Sequence, residues 1–223
     1  DQEDSLLAEE CSERELSFTC TFPTDVLVIR SAWLYGITAK VEDECSVAKH
    51  NLQYKKGSFL RFINKECGGK NQCKFSVWKH IPAARTDEDH WKGGVLHVSY
   101  VCLPKPEFHR TCNSEKYAQS GWLQSIGYPE YYLGDQPCTL SIHVDEGQRI
   151  QLTISDISIR DMRDGEKTCT DSVVVREGEH ELLHRCGESN KPLTVTSEGN
   201  LINVTLIATS ELYPKRGYIA YWK

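Results

Sequence analysis

The chain has 223 residues, 39% of them hydrophobic and 26% charged, and a net charge of −6. That is enough for a sizeable buried core in one large domain or two of about 100 residues. No run approaches the ~18–20 consecutive apolar residues of a membrane span, and the acidic balance gives no support for nucleic-acid binding by the whole chain. Ten cysteines stand against one methionine, with no CxxC pair among them. An even, irregularly spaced set of this kind argues for disulfides and an oxidising, extracellular setting rather than a zinc or redox centre.

In chain order, residues 1–15 carry seven acidic groups and one basic. The start, DQEDSLLAEE, has no basic segment followed by an apolar run, so any secretory signal is expected to lie outside these residues. Val26–Trp33 reads as a strand, and Asp43–Ala48 as the possible beginning of a short helix. Residues 49–79 then hold eight basic groups (Lys49, Lys55, Lys56, Arg61, Lys65, Lys70, Lys74, Lys79) and one acidic, Glu66. Val95–Val101 is a second strand in this half. Leu103-Pro104-Lys105-Pro106 follows, where two prolines in three residues end any sheet ladder and favour a short extended connector. Six cysteines precede that point and four follow it, so each side can close its own bridges.

Past the connector the pattern is short strands and turns. Arg149–Ile159 alternates apolar and polar residues as a half-buried strand does, and Ser172–Arg176, Leu201–Ala208 and Gly217–Trp222 read the same way. Asp145-Glu146-Gly147, Asp164-Gly165, Glu177-Gly178, Glu198-Gly199-Asn200 and Pro214 separate them. By pattern alone this half is an antiparallel β-sandwich.

For chemistry, no GxSxG, HExxH or comparable framework appears, and the cysteines are better explained as bridges than as nucleophiles, so no enzyme is expected. His80, His90, His97 and His109 lack the tight spacings of a metal site, so no metal and no cofactor are expected. The basic run is interleaved with Tyr54, Phe59, Phe62, Phe75 and Trp78. Those aromatics suit a core and the charges suit a solvated face, but seven net positive charges in 31 residues also suit a sulfated glycan or an acidic protein partner. The candidate binding face is Lys55, Lys56, Arg61, Lys65, Lys70, Lys74 and Lys79. Asn203-Val204-Thr205 is the one N-glycosylation sequon; as a strand it would set Asn203 and Thr205 on an exposed face opposite Val204.

Two resemblances organise these signals. Cys112, Gly121, Ser125-Ile126-Gly127-Tyr128-Pro129, Tyr132, Cys138, Glu146-Gly147-Gln148, Cys169-Thr170-Asp171-Ser172-Val173, Cys186-Gly187 and Gly217-Tyr218-Ile219-Ala220-Tyr221 together resemble a CUB domain over 112–222. That implies an antiparallel sandwich with bridges Cys112–Cys138 and Cys169–Cys186. Leu16-Ser17-Phe18-Thr19-Cys20, Ala32-Trp33-Leu34-Tyr35-Gly36, Cys67-Gly68-Gly69-Lys70-Asn71-Gln72-Cys73 and Leu96-His97-Val98-Ser99-Tyr100-Val101-Cys102 resemble a divergent galactose/rhamnose-binding lectin domain. The family pairing implies Cys11–Cys45, Cys20–Cys102 and Cys67–Cys73. Of that family's sugar pocket, Tyr35 and Gly36 remain. Ser12 follows Cys11 where an acid is usual, Ile37 stands for arginine, residues 78–92 hold no Asp-Pro-Cys, and Gly93-Gly94 stand where a lysine is expected. A sugar's hydroxyls need several fixed partners, and an unpaired buried polar group costs ~1–3 kcal/mol, so family-type sugar binding is not expected.

Many CUB domains hold calcium through three acidic side chains. Here Asp171 meets one position, while the others fall at Arg160 and at or beside Thr209, with Asp161 and Asp164 close by in sequence. One carboxylate beside a cation is a poor calcium site. Arg160 is then expected either to pair with Asp171 or to face solvent while Asp171 caps a turn. The whole reads as mainly β and disulfide-stapled: a lectin-like α+β or β domain at 10–103, a linker at 104–111, and a CUB sandwich at 112–223. The expected role is extracellular recognition, in a secreted protein or the ectodomain of a single-pass receptor. The partner is an extracellular or cell-surface protein met in adhesion, signalling or developmental guidance. The alternative is a lectin for heparan-type sulfated glycans using the basic face. Nucleic acid is not an expected partner, and a membrane is expected only through an anchor beyond Lys223.

Overall fold

A computed structural model describes residues 5–12, 14–36, 54–80, 94–104, 112–134, 137–162, 164–209 and 212–223. The chain divides into two compact units, Asp1–Lys105 and Pro106–Lys223. The expected helix start at 43–48 and most of the connector at 104–111 lie outside the described residues.

In the first unit, strands β1 (Leu6–Cys11), β3 (Asp25–Gly36), β4 (Tyr54–Ser58) and β6 (Gly94–Pro104) form a sheet in the order β1-β6-β3-β4. Strand β2 (Glu15–Thr19) pairs with β5 (Gln72–Ser76) in a separate two-stranded sheet. Between β4 and β5 lies helix α1 (Leu60–Cys67), packed on β3 and β5. The charge of this stretch masks the helix in the sequence, yet its buried residues Leu60, Ile63, Asn64 and Cys67 fall at i, i+3, i+4 and i+7, one face of a helix. The alternation Leu16, Phe18 on β2 and Cys73, Phe75 on β5 turns those side chains into the same core, where they meet Leu27, Ile29, Leu34, Leu96 and Val98.

The second unit is an antiparallel-dominated sandwich. One sheet contains β13 (His180–Arg185), β12 (Ser172–Glu177), β15 (Leu201–Ile207), β10 (Cys138–His143) and β7 (Ser114–Tyr117), in that order. The other runs β14 (Leu193–Thr196), β11 (Gln151–Ser158), β17 (Gly217–Trp222), β8 (Gly121–Gln124). A short pair, β9 (Tyr132–Leu133) with β16 (Leu212–Tyr213), closes one end. The core packs Leu140, Ile142, Val173, Val175, Ile202 and Val204 of the first sheet against Leu152, Ile154, Ile157, Tyr218, Ala220 and Trp222 of the second. Gly217 opens β17 with φ +86, and a Cβ there would lie 2.0 Å from Ser125 Oγ, so both conformation and space demand glycine.

One expectation needs correction. Alternation over 149–159 predicts a half-buried strand, but seven of the eight residues of β11 are buried, polar ones included. A bulge between Ile154 and Asp156 interrupts the register. The polar side chains also find partners inside: Thr153 with Thr194, Asp156 with Arg216, and Ser158 with Glu188. Period two separates two faces; it does not say that the polar face meets water.

Bridges join Cys20 to Cys102, Cys67 to Cys73, Cys112 to Cys138 and Cys169 to Cys186, at separations of 82, 6, 26 and 17 residues. Cys11 is also disulfide-bonded, while Cys45 lies outside the described residues. Among the described residues no cysteine is free and no helix is long and apolar enough to cross a membrane. Loop closure makes the 82-residue bridge the most stabilising of the four, about 4.5 kcal/mol against about 2 for Cys67–Cys73. Denaturant unfolding of the Cys20→Ala/Cys102→Ala and Cys67→Ala/Cys73→Ala pairs should rank the losses in that order. Equal losses, or a free thiol on non-reducing peptide mapping, would contradict this ranking.

Candidate functional site

The chemistry of the second unit gathers at one end of the sandwich. Asp171 immediately precedes β12 and is 0% exposed. A carboxylate taken out of water needs donors in its place. Tyr132 Oη donates to Oδ2 at 2.6 Å, and Thr209 donates to Oδ1 from both its backbone N–H (3.1 Å) and its hydroxyl (2.8 Å). The Tyr132 hydroxyl itself accepts the backbone N–H of Arg160 at 3.1 Å. Burial, and next the bond to Asp171, raise the Tyr132 phenol well above its ordinary range, so it stays a donor. The segments after β8, β11 and β15 are thereby fastened to the start of β12.

A second buried carboxylate lies nearby in β11. Asp156 is 2% exposed and is gripped by Arg216 through Nε at 2.9 Å and Nη2 at 3.0 Å, a bidentate fork. Tyr128 Oη adds a third bond at 3.1 Å. Burial, and next the charge of Asp156, raise the Tyr128 phenol; the Arg216 charge opposes them. Ser158 and Lys215 reach Glu188 at 2.9 and 3.6 Å. A groove of about 490 Å³ opens beside this scaffold, walled by the Cys169–Cys186 bridge and lined by Asp161, Met162, Lys167, His184 and Arg185. Met162, Lys167 and Arg185 are exposed there.

These contacts decide between the two sequence readings of Arg160, and neither holds. Arg160 reaches Asp171 through its backbone N–H and the Tyr132 hydroxyl, with no ion pair between the two side chains among the described residues. Asp171 bridges segments 38 and 39 residues away in sequence, well beyond a turn cap. The residues present also do not fit calcium. Three donors already occupy the one carboxylate, and the neighbouring positions offer a guanidinium and a hydroxyl instead of further carboxylates. Among the described residues, no three His, Cys, Asp or Glu side chains cluster as metal ligands.

The basic run is distributed over several elements. Lys55 and Lys56 lie on β4. Arg61 and Lys65 occupy the exposed side of α1, Lys70 the turn after it, Lys74 the outer face of β5 near Glu15 (3.9 Å), and Lys79 a 3₁₀ turn. Phe59 and Phe75 belong to the core. His80 stacks on Phe75, centroids 4.7 Å apart, and lies 5.1 Å from Phe62. Its proton affinity is lowered chiefly by burial; Glu66 opposes this, and Lys65 and Lys79 add to it.

The positions for which the sequence suggests a lectin resemblance also meet. Tyr35 lies edge-on to His97 at 4.9 Å, and His97 Nδ1 is 3.2 Å from Glu9. Gly36 pairs with Gly94, and Ser12 bonds Gly94 through both backbone and hydroxyl (2.8 and 2.9 Å). A Cβ at position 94 would lie 2.5 Å from the Tyr35 carbonyl oxygen, so glycine is required where the resemblance expects lysine. Ile37 and residues 81–93 lie outside the described residues. Asn203 and Thr205 are half-exposed on β15, with Val204 turned into the core. The resemblance already set Thr209 at the same site as Asp171, whereas the Tyr132 partnership was not legible because no local pattern links a hydroxyl to a carboxylate 39 residues away.

With this geometry in hand, the comparisons are specific for the second unit. The model of the CUB domain family matches residues 112–222. Cubilin of Canis lupus familiaris is 30% identical over 131 residues, 56% of this chain and 4% of that protein. Cubilin of Rattus norvegicus is 31% identical over 116 residues, 50% of this chain and 3% of that protein. The chain thus spans only a few per cent of the length of these relatives. Among solved structures, the full extracellular region of zebrafish Gpr126/Adgrg6 is 28% identical, covering 51% of this chain and 14% of that one, with a TM-score of 0.44. The MASP-1 CUB2 domain bound to Ca2+ is 21% identical, covering 51% and 99%, also at 0.44. The second unit of this protein, residues 112–222, is a CUB domain.

Proposed function

We propose that the chain is a non-catalytic extracellular recognition module of a secreted protein or cell-surface receptor. Its partner is another extracellular or cell-surface protein, bound in adhesion, signalling or developmental guidance, with no cofactor and no nucleic acid involved. The observation that carries this reading is the loop end of the CUB domain. Two buried carboxylate networks tie five segments together beside an open groove, as preorganised recognition requires. Exposed Lys167 and Arg185 share its lining with Asp161 and Glu188, a mixed set of charges suited to the charged side chains of a protein surface.

A second reading, binding of heparan-type sulfated glycans, is favoured by exposed Arg61 and Lys65 one turn apart on α1, with Lys70, Lys74 and Lys79 exposed on the segments that follow it. For residues 10–103 we propose a degenerate galactose/rhamnose-binding-lectin-like domain. The meeting of Ser12, Tyr35, Gly36 and Gly94 supports it, and free rhamnose or galactose should give no heat in calorimetry.

Tagged tetramers of residues 1–223 separate the two principal readings. They should stain cells saturably, lose staining when the cells are treated with trypsin, and keep it after heparinase. Lys167→Glu/Arg185→Glu should weaken binding at least tenfold with an unchanged melting temperature. Loss of staining after heparinase, and in Lys65→Glu/Lys79→Glu, would instead establish the glycan reading.

The loop end is also proposed to work without metal. Millimolar calcium and EDTA should give the same melting temperature. Tyr132→Phe keeps the ring but removes one donor from a buried carboxylate, and should cost about 2 kcal/mol. A calcium-dependent rise reversed by EDTA would refute the metal-free design.

A further inference from the structure

On the outer face of the five-stranded CUB sheet, two rows of side chains run across neighbouring strands. One row is Glu115, Ser141, Asn203 and Arg176. The next, two residues along, is Tyr117, His143 and Leu201. Val204, between the sequon's asparagine and threonine, is fully buried, so Asn203 and Thr205 both present to the outside. The Ser141 hydroxyl donates to Asn203 Oδ1 at 2.7 Å. That bond fixes the amide through its oxygen and spares Nδ2, the atom a glycan would take.

The second row is unusual for a solvated face. Tyr117 is 73% exposed, yet it is held rather than loose. Its ring stacks on His143 with centroids 4.4 Å apart and planes 16° from parallel, and its hydroxyl donates to Glu115. Leu201, 37% exposed, continues the row directly opposite His143. Single exposed apolar side chains need no explanation, whereas an exposed ring stacked on His143 and followed by Leu201 in one row makes a strip that a neighbouring group can cover. Asn203 sits diagonally from His143, roughly 7–8 Å away by sheet geometry. The cover is therefore available from within the same sheet face.

We infer that Asn203 carries an N-glycan whose first N-acetylglucosamine residues lie along the Leu201–His143–Tyr117 row. The inference rests on the extracellular reading, because the acceptor must enter the secretory lumen. The donor is a lipid-linked oligosaccharide diphosphate. The C1–O bond to the diphosphate breaks, a C1–Nδ2 bond forms, and the amide proton leaves with the lipid diphosphate. The sugar's apolar C–H face then meets aromatic rings whose π faces are negative, an attraction that survives in water because it also removes apolar area from solvent. A glycan so placed shields the five-stranded face and leaves the loop end open to a protein partner.

The test uses the 1–223 chain secreted from a glycosylating eukaryotic host. Intact mass should show one N-glycan in the wild type and none in Asn203→Gln or Thr205→Ala. The glycan should raise the melting temperature of the CUB transition by about 3 °C relative to both unglycosylated variants. That rise should vanish on a Tyr117→Ala background and persist on Tyr117→Phe, with occupancy unchanged in both. An upfield displacement of the N-acetyl methyl signals should accompany it and be lost with the ring. An unmodified Asn203 in the secreted wild type overturns the inference outright while leaving the cell-staining experiment unaffected. A modified Asn203 whose thermal gain and methyl shifts are indifferent to Tyr117→Ala overturns the placement of the sugar.

Discussion

A fully buried carboxylate, Asp171, sets the conditions for the loop end of the CUB domain. Removing such a group from water costs several kcal/mol unless protein donors replace the lost hydration. Tyr132 and the two donors of Thr209 replace it here, from two distant parts of the chain. The cost of leaving any one of them undone is what keeps the segments together. Where a divalent ion could draw loops to one centre by charge, a phenol and a threonine do so by hydrogen bonding, without needing further acidic side chains close by.

The Asp156–Arg216 pair extends the same logic into the sheet. Its value lies less in net stability, since a buried ion pair roughly balances its own desolvation, than in the penalty for any arrangement that separates the partners. The bulge in β11 lies just before Asp156, whose partner Arg216 stands immediately before β17. The register of that strand pair and the position of the loop before it are thus specified together. Tyr128 brings the segment after β8 to the same carboxylate. The groove by Cys169–Cys186 therefore borders a framework with few alternative arrangements, and a partner would spend little binding energy on ordering it.

The first unit reaches its core differently. Its helix is short and strongly charged on the outside, and its stability comes from one apolar stripe, with Cys67 tied covalently to β5 through Cys73. At the end of the main sheet, close backbone approach excludes a side chain at Gly94. The same close approach brings Ser12 against Gly94, where its backbone and hydroxyl both bond to the Gly94 backbone.

Much of this was legible in the amino-acid sequence. The two-part division follows from even cysteine sets on either side of a proline-rich connector, and β12, β15 and β17 from alternation, which is a local property of an extended chain. The side chain pattern of Asn203, Val204 and Thr205 is likewise local. Helix α1 was present as an i, i+3, i+7 pattern but was hidden by the charge around it. What only the tertiary structure decided is pairing. Asp171 finds Tyr132, polar residues of β11 become buried, and Tyr117 comes to stand beside His143 near Asn203. Each of these depends on strands or loops distant in sequence lying side by side, and a one-dimensional pattern reports which face a residue prefers, not which partner waits on it.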